Sequence, residues 1–114
     1  MDVKQTAIRM ANVLADKKAI NPVLLDISPI SVIADYFLIA SGNNVIHVKA
    51  LCDELEQQMA QSGLHIKRQD GYVAGRWVVL DYGDIIVHIF HPEEREFYNL
   101  ERLWGDAQTE AWQV

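Results

Sequence analysis

Two apolar runs, residues 77–80 and 85–90, flank Asp81-Tyr82-Gly83-Asp84 in the stretch RWVVLDYGDIIVHIFH, residues 76–91. A short loop with glycine between β-branched runs is the pattern of a β-hairpin, because glycine accepts the positive φ that tight turns demand. With Tyr82 and Gly83 as the loop, the expected pairs are Asp81–Asp84, Leu80–Ile85, Val79–Ile86, Val78–Val87 and Trp77–His88. Side chains alternate across a strand, so this register sorts the hairpin into two faces. Val78, Leu80, Ile85, Val87 and Ile89 make an aliphatic core face. Trp77, Val79, Ile86, His88 and Phe90 make a face that is apolar and aromatic but holds a histidine. That second face is either a further core layer under the chain's own helices or a surface buried only when a partner arrives.

Around the hairpin the periodicity predicts a mixed α/β (α+β) arrangement. Val3, Ala7, Met10 and Leu14 recur at helical spacing within residues 3–19, and Pro22 stops that helix by disfavouring helical geometry in the residue before it. Residues 23–27 form a short strand. Residues 35–40 form a second strand, too continuously apolar for an edge and therefore central. A long helix over residues 45–61 buries Val48, Leu51, Cys52, Leu55 and Met59 and ends at Ser62-Gly63. Residues 64–67 form a weak edge strand and residues 69–75 a loop. After the hairpin, Pro92 at a helix start with Glu93 and Glu94 in the first turn opens a last helix. Phe97, Leu100, Leu103 and Trp104 make its apolar side and Gly105 its end. The expected sheet has about five strands flanked by helices. Residues 1–105 read as one domain, and residues 106–114 as a frayed polar tail apart from Trp112.

Charge and composition narrow the partners. The formal net charge of −6 opposes a protein that grips nucleic acid through its phosphates, and it favours encounter with a basic protein. The lone Cys52 fits a reducing, cytoplasmic setting. No apolar run approaches the ~20 residues of a membrane span, and the first residues carry no signal-peptide apolar core.

No catalytic set assembles. His88 and His91 are three apart on or beside a strand and tend to face opposite sides, while His47 and His65 lack companions at metal spacing. Asp26, Asp35, Asp81 and Asp84 could hold magnesium in a nucleotidyltransferase-like enzyme, but turns and caps account for them more simply. Ser41-Gly42-Asn43-Asn44 joins a strand to a helix start, where phosphate can bind, yet capping by Asn43 or Asn44 explains the same residues. Cys52 lies in a helix stripe and reads as a small core hydrophobe. No cofactor is implied.

Three separated motifs carry a resemblance over residues 3–104. They are Asp35-Tyr36-Phe37-Leu38-Ile39-Ala40-Ser41-Gly42, then Gly71-Tyr72 with the hairpin, then Arg95-Glu96-Phe97-Tyr98-Asn99-Leu100-Glu101-Arg102-Leu103-Trp104. In this order they resemble the ribosomal silencing factor (Iojap-like) family. The resemblance implies a nucleotidyltransferase-like topology without that fold's Gly-Ser and paired-aspartate motif, and a non-enzymatic function. It implies binding to the large ribosomal subunit at ribosomal protein L-fourteen, steric exclusion of the small subunit, and repression of translation when nutrients are scarce. On that footing the expected docking patch is Trp77, Val79, Ile86, His88 and Phe90, with Tyr82 and Asp84 at its edge. Free protein could cover the same patch as a homodimer.

Overall fold

The computed structural model describes residues 2–113, leaving aside the side chain of Phe97, so the apolar role expected of Phe97 lies outside the described residues. The chain runs α1 (Val3–Asp16), β1 (Ile20–Asp26), β2 (Tyr36–Ser41), α2 (Val45–Gln61), β3 (Arg68–Asp70), β4 (Trp77–Asp81), β5 (Ile85–Phe90), α3 (Pro92–Tyr98), α4 (Leu100–Leu103) and β6 (Gln108–Glu110). The six strands form one mixed sheet in the order β3-β4-β5-β2-β1-β6. This is an α+β fold. Its central β2 pairs antiparallel with β1 and parallel with β5, and all six of its residues are buried, as a continuously apolar strand requires.

Helix ends follow local chemistry. The Asp2 carboxylate caps α1 by accepting from the Gln5 amide at 2.7 Å, and α1 stops at Asp16 because Lys18 takes φ 67°, a left-handed turn. In α2 the Asn44 side chain accepts from the His47 amide at 2.8 Å, so Asn44 is the cap. His91 caps α3 ahead of Pro92, with Glu93 and Glu94 in the first turn. The expected single last helix is broken at Asn99, whose φ of 46° ends α3 while its side chain caps α4. Asparagine tolerates this conformation better than other non-glycine residues, since its short amide can bond locally.

α1 and α2 cover one face of the sheet. Ala7, Met10 and Leu14 from α1, and Leu51, Cys52, Leu55 and Met59 from α2, pack on Leu24, Leu38, Val78, Leu80, Val87 and Ile89. Burying one such aliphatic side chain contributes roughly 1.5–3 kcal/mol, so this layer dominates folding. The other face carries a smaller cluster of Leu25, Ile27, Ala34, Phe37, Ile39, Phe90 and Leu100, with Trp77, Ile86 and Trp104 partly buried against it.

Three expectations need correction. The hairpin pairs Asp81 with Ile86, Leu80 with Val87, Val79 with His88, Val78 with Ile89 and Trp77 with Phe90, so the residues between its strands are Tyr82-Gly83-Asp84 and the register is shifted from the expected one. The Tyr82 amide donates to the Ile85 carbonyl at 2.9 Å, and Gly83 supplies φ 89°. The weak strand expected at 64–67 lies instead at Arg68–Asp70, on the sheet edge. The segment expected to fray pairs with β1 as β6, and Trp112 anchors it by donating from Nε1 to the Pro22 carbonyl at 2.9 Å.

Candidate docking surface

The true register differs from the expected one by two residues, and an even slip leaves every side chain on its predicted face. Trp77 and Val79 of β4 therefore share a face with Ile86, His88 and Phe90 of β5. The face is held from above by α3. Arg76 at the start of β4 pairs with Glu93 and Glu94 at 3.1 and 2.6 Å. Arg95 bridges to the far strands, donating to the Ile20 and Asn21 carbonyls, the Ser41 hydroxyl and the Glu101 carboxylate. These fully used donors make Arg95 a clamp, not a ligand site.

Aromatic rings then fill the face. Trp77 stacks on Phe90 with centroids 5.1 Å apart and lies 4.7 Å from Tyr98 of α3. Phe37 of β2 meets His88 edge-on at 4.7 Å and Trp104 at 5.1 Å. Trp77 and His88 are diagonal neighbours and not a directly opposed pair. They meet tilted at 39° and through a hydrogen bond, Trp77 Nε1 donating to His88 Nδ1 at 3.1 Å. An acceptor Nδ1 puts the proton of the neutral imidazole on Nε2. Among the described residues Nε2 has no partner, and burial pushes the His88 pKa down to about 4. The ring is therefore neutral at pH 7, and a polar N–H is held in an apolar layer.

The seven residues of the expected patch separate into three groups. Trp77, Val79 and Ile86 are half-buried and Asp84 is exposed, so these four are reachable. His88 and Phe90 are covered, at 6% and 0% exposure, and support the patch from beneath. Tyr82 turns to the helix-covered face, where it is buried with its hydroxyl unpartnered among the described residues and its pKa raised by desolvation. Parity signals this, since Tyr82 continues the even-numbered alternation of Val78 and Leu80 just past the end of β4. Phe37, Tyr98 and Trp104 complete the aromatic face; Phe37 and Trp104 were expected as core of β2 and of the last helix, while Tyr98 was given no place on its apolar side.

The residues considered for chemistry stay apart. Cys52 is buried and its thiol is pushed up to about 12 by burial, with Glu56 and Asp53 adding to it, so it is not a nucleophile. Among the described residues no three His, Cys, Asp or Glu side chains gather to hold a metal ion, and no helix is long and apolar enough to cross a membrane. His47 spends both ring nitrogens structurally, Nδ1 on the Asn43 amide at 2.8 Å and Nε2 on the Lys17 carbonyl at 2.9 Å.

Comparison with known proteins gives one consistent result. The family described as "Ribosomal silencing factor during starvation" matches residues 1–113. A ribosomal silencing factor of Halalkalibacterium halodurans is 50% identical over 98 residues, spanning 86% of this chain and 84% of the relative. That of Bacillus subtilis is 47% identical over 92 residues, spanning 81% and 78%. Among solved structures, a Chromobacterium violaceum protein superposes with a TM-score of 0.89 at 29% identity, covering 100% of this chain and 94% of its own. A Bacillus halodurans protein superposes at 0.80 with 42% identity, covering 96% of each.

Proposed function

Since the chain belongs to the ribosomal silencing factor family, we propose that it binds the large ribosomal subunit through ribosomal protein L-fourteen and keeps the small subunit from joining. The activity is steric, with no bond made or broken, and it represses translation in the cytoplasm. The observation that supports this reading is the aromatic face: a rigid layer of stacked rings whose outer members, Trp77, Val79 and Ile86, remain half exposed beside the Asp84 carboxylate. Large rings fixed by packing lose little freedom when a partner covers them, which is why aromatic anchors dominate interface energies. The acidic balance of the chain speeds approach to a basic ribosomal protein more than it tightens the final complex.

Co-sedimentation with purified large subunits tests the reading. Wild-type protein is expected to travel with the subunits and to reduce their joining with small subunits. A folded Trp77→Ala variant is expected to bind about tenfold more weakly or worse. Wild-type protein left at the top of the gradient would sink the proposal, and undiminished binding by the variant would remove Trp77 from the patch. Light scattering of the free protein shows whether a homodimer covers the same face before binding.

A further inference from the structure

The aromatic face is mostly closed by the chain's own rings, while a neighbouring surface is left open. Residues 27–35 connect β1 to β2, and three of their apolar side chains stand in solvent: Val32 at 104% exposure, Ile33 at 59% and Ile30 at 46%. The loop is ordered from within. Ser28 donates its amide and hydroxyl to the Asp26 carboxylate at 3.0 and 2.6 Å, and the Ile30 amide bonds the Ile27 carbonyl at 3.0 Å. The Ile33 amide bonds the Ser31 hydroxyl at 3.1 Å, and the Ile27 amide bonds the Asp35 carbonyl at 2.9 Å. Its base, Ile27 and Ala34, is buried in the same cluster as Phe37 and Ile86. A loop held in this way presents apolar side chains without an ordering cost on binding, and exposed apolar surface of this kind marks an interaction site.

The surroundings choose the occupant. The Asp84 carbonyl accepts from the Asp35 amide at 2.8 Å and from the Tyr36 amide at 3.1 Å, which joins the loop to the hairpin turn. The loop and the turn carry Asp35 and Asp84, Asp26 and Asp81 end the strands that lead into them, and neither residues 19–48 nor residues 77–94 contain a lysine or arginine. The cations that approach it are Lys4, paired with Glu110 at 3.2 Å, and Lys67, whose ammonium lies over Gly83. Such a surface repels RNA phosphates, and meeting its own copy would set like charges face to face. A basic protein surface with an apolar hollow complements it.

We propose that Ile30, Val32 and Ile33 form a second anchor, continuous with Ile86 and Asp84, that inserts into a basic protein of the large ribosomal subunit; the inference rests on the function proposed above. The experiment compares wild type with V32S/I33S and with D84K, using purified large subunits, large-subunit RNA stripped of protein, and light scattering. All three changed side chains, Val32, Ile33 and Asp84, face solvent, so melting temperatures should match wild type. The double variant is expected to bind subunits at least about tenfold more weakly, and D84K to associate more slowly with a shallower salt dependence. Wild-type binding that the double variant retains in full overturns the loop anchor and leaves the family reading standing. Failure of the wild type to bind overturns both. Equal wild-type binding to stripped RNA, or a dimer that V32S/I33S splits while subunit binding persists, assigns the loop to RNA or to a second copy and overturns the inference.

Discussion

The two faces of the sheet are built from the same strands and reach opposite ends of a scale. Under α1 and α2, β4 and β5 present only Val78, Leu80, Ile85, Val87 and Ile89, and the layer is closed by two long helices. Under α3 and α4, the same strands present Trp77, Val79, Ile86, His88 and Phe90, and the cover is two short helices interrupted at Asn99. The first face is finished as a core. The second is stiffened by rings but keeps a buried imidazole N–H without a partner among the described residues and a half-open rim. The contrast teaches that stability and recognition have been given to different sides of one sheet, separated only by the alternation of side chains.

Truncations should expose that division. Leu80→Ala, on the finished face and fully buried, is expected to lower unfolding free energy by about 3 kcal/mol in urea titrations. Ile86→Ala, half-buried on the other face, should lower it by about 1 kcal/mol. Equal losses would erase the distinction.

Acid should act on the aromatic face through His88. The His88 pKa falls from 6.5 in the unfolded chain to about 4 in the fold, so the folded state excludes the proton that the unfolded state accepts. Its contribution to stability is complete above pH 6.5 and is lost as pH falls toward 4. Between pH 7 and 5 the protein should lose about 2 kcal/mol for this reason. The His88→Phe variant should show a correspondingly flatter pH profile; an unchanged slope would mean that another group carries it.

Smaller effects test the joints. Trp77→Phe keeps the ring stack but leaves His88 Nδ1 without its donor, which should cost about 1–2 kcal/mol. Trp112→Ala removes the bond to the Pro22 carbonyl and the packing that pins β6, with an expected loss of about 1 kcal/mol. Hydrogen exchange at Thr109 should then rise before exchange in β2 does.

Much of this was legible in the residues because several signals agreed. α2 matches residues 45–61 end to end, since its apolar stripe, its asparagine cap and Ser62-Gly63 all point to the same bounds. The two hairpin faces survived a misjudged loop only because the slip was even. β6 was not legible: Gln108-Thr109-Glu110 has no apolar alternation, and its strand conformation is imposed by the edge of β1. The break at Asn99 was hidden by a helical apolar spacing that runs through it. At the candidate site, sequence pattern placed the half-open rim residues but could not show that Phe90 and His88 lie underneath, since depth depends on Tyr98 and Phe37 from elsewhere in the chain. The exposed loop was missed because residues 28–34 lie between two strand patterns and carry no periodicity of their own, so nothing in the sequence shows that Ile30, Val32 and Ile33 stand in solvent.

The sheet's one parallel pairing among the described residues has a consequence for how the chain acquires its shape. β2 is joined to β5, whose residues lie far downstream, and β1 is completed only by residues 108–110. Neither central strand can be satisfied by its own neighbourhood, so closing the sheet waits on contacts of long sequence separation, which are the slow ones. During synthesis the first half of the molecule must therefore carry open strand edges until nearly the whole chain has emerged from the ribosome.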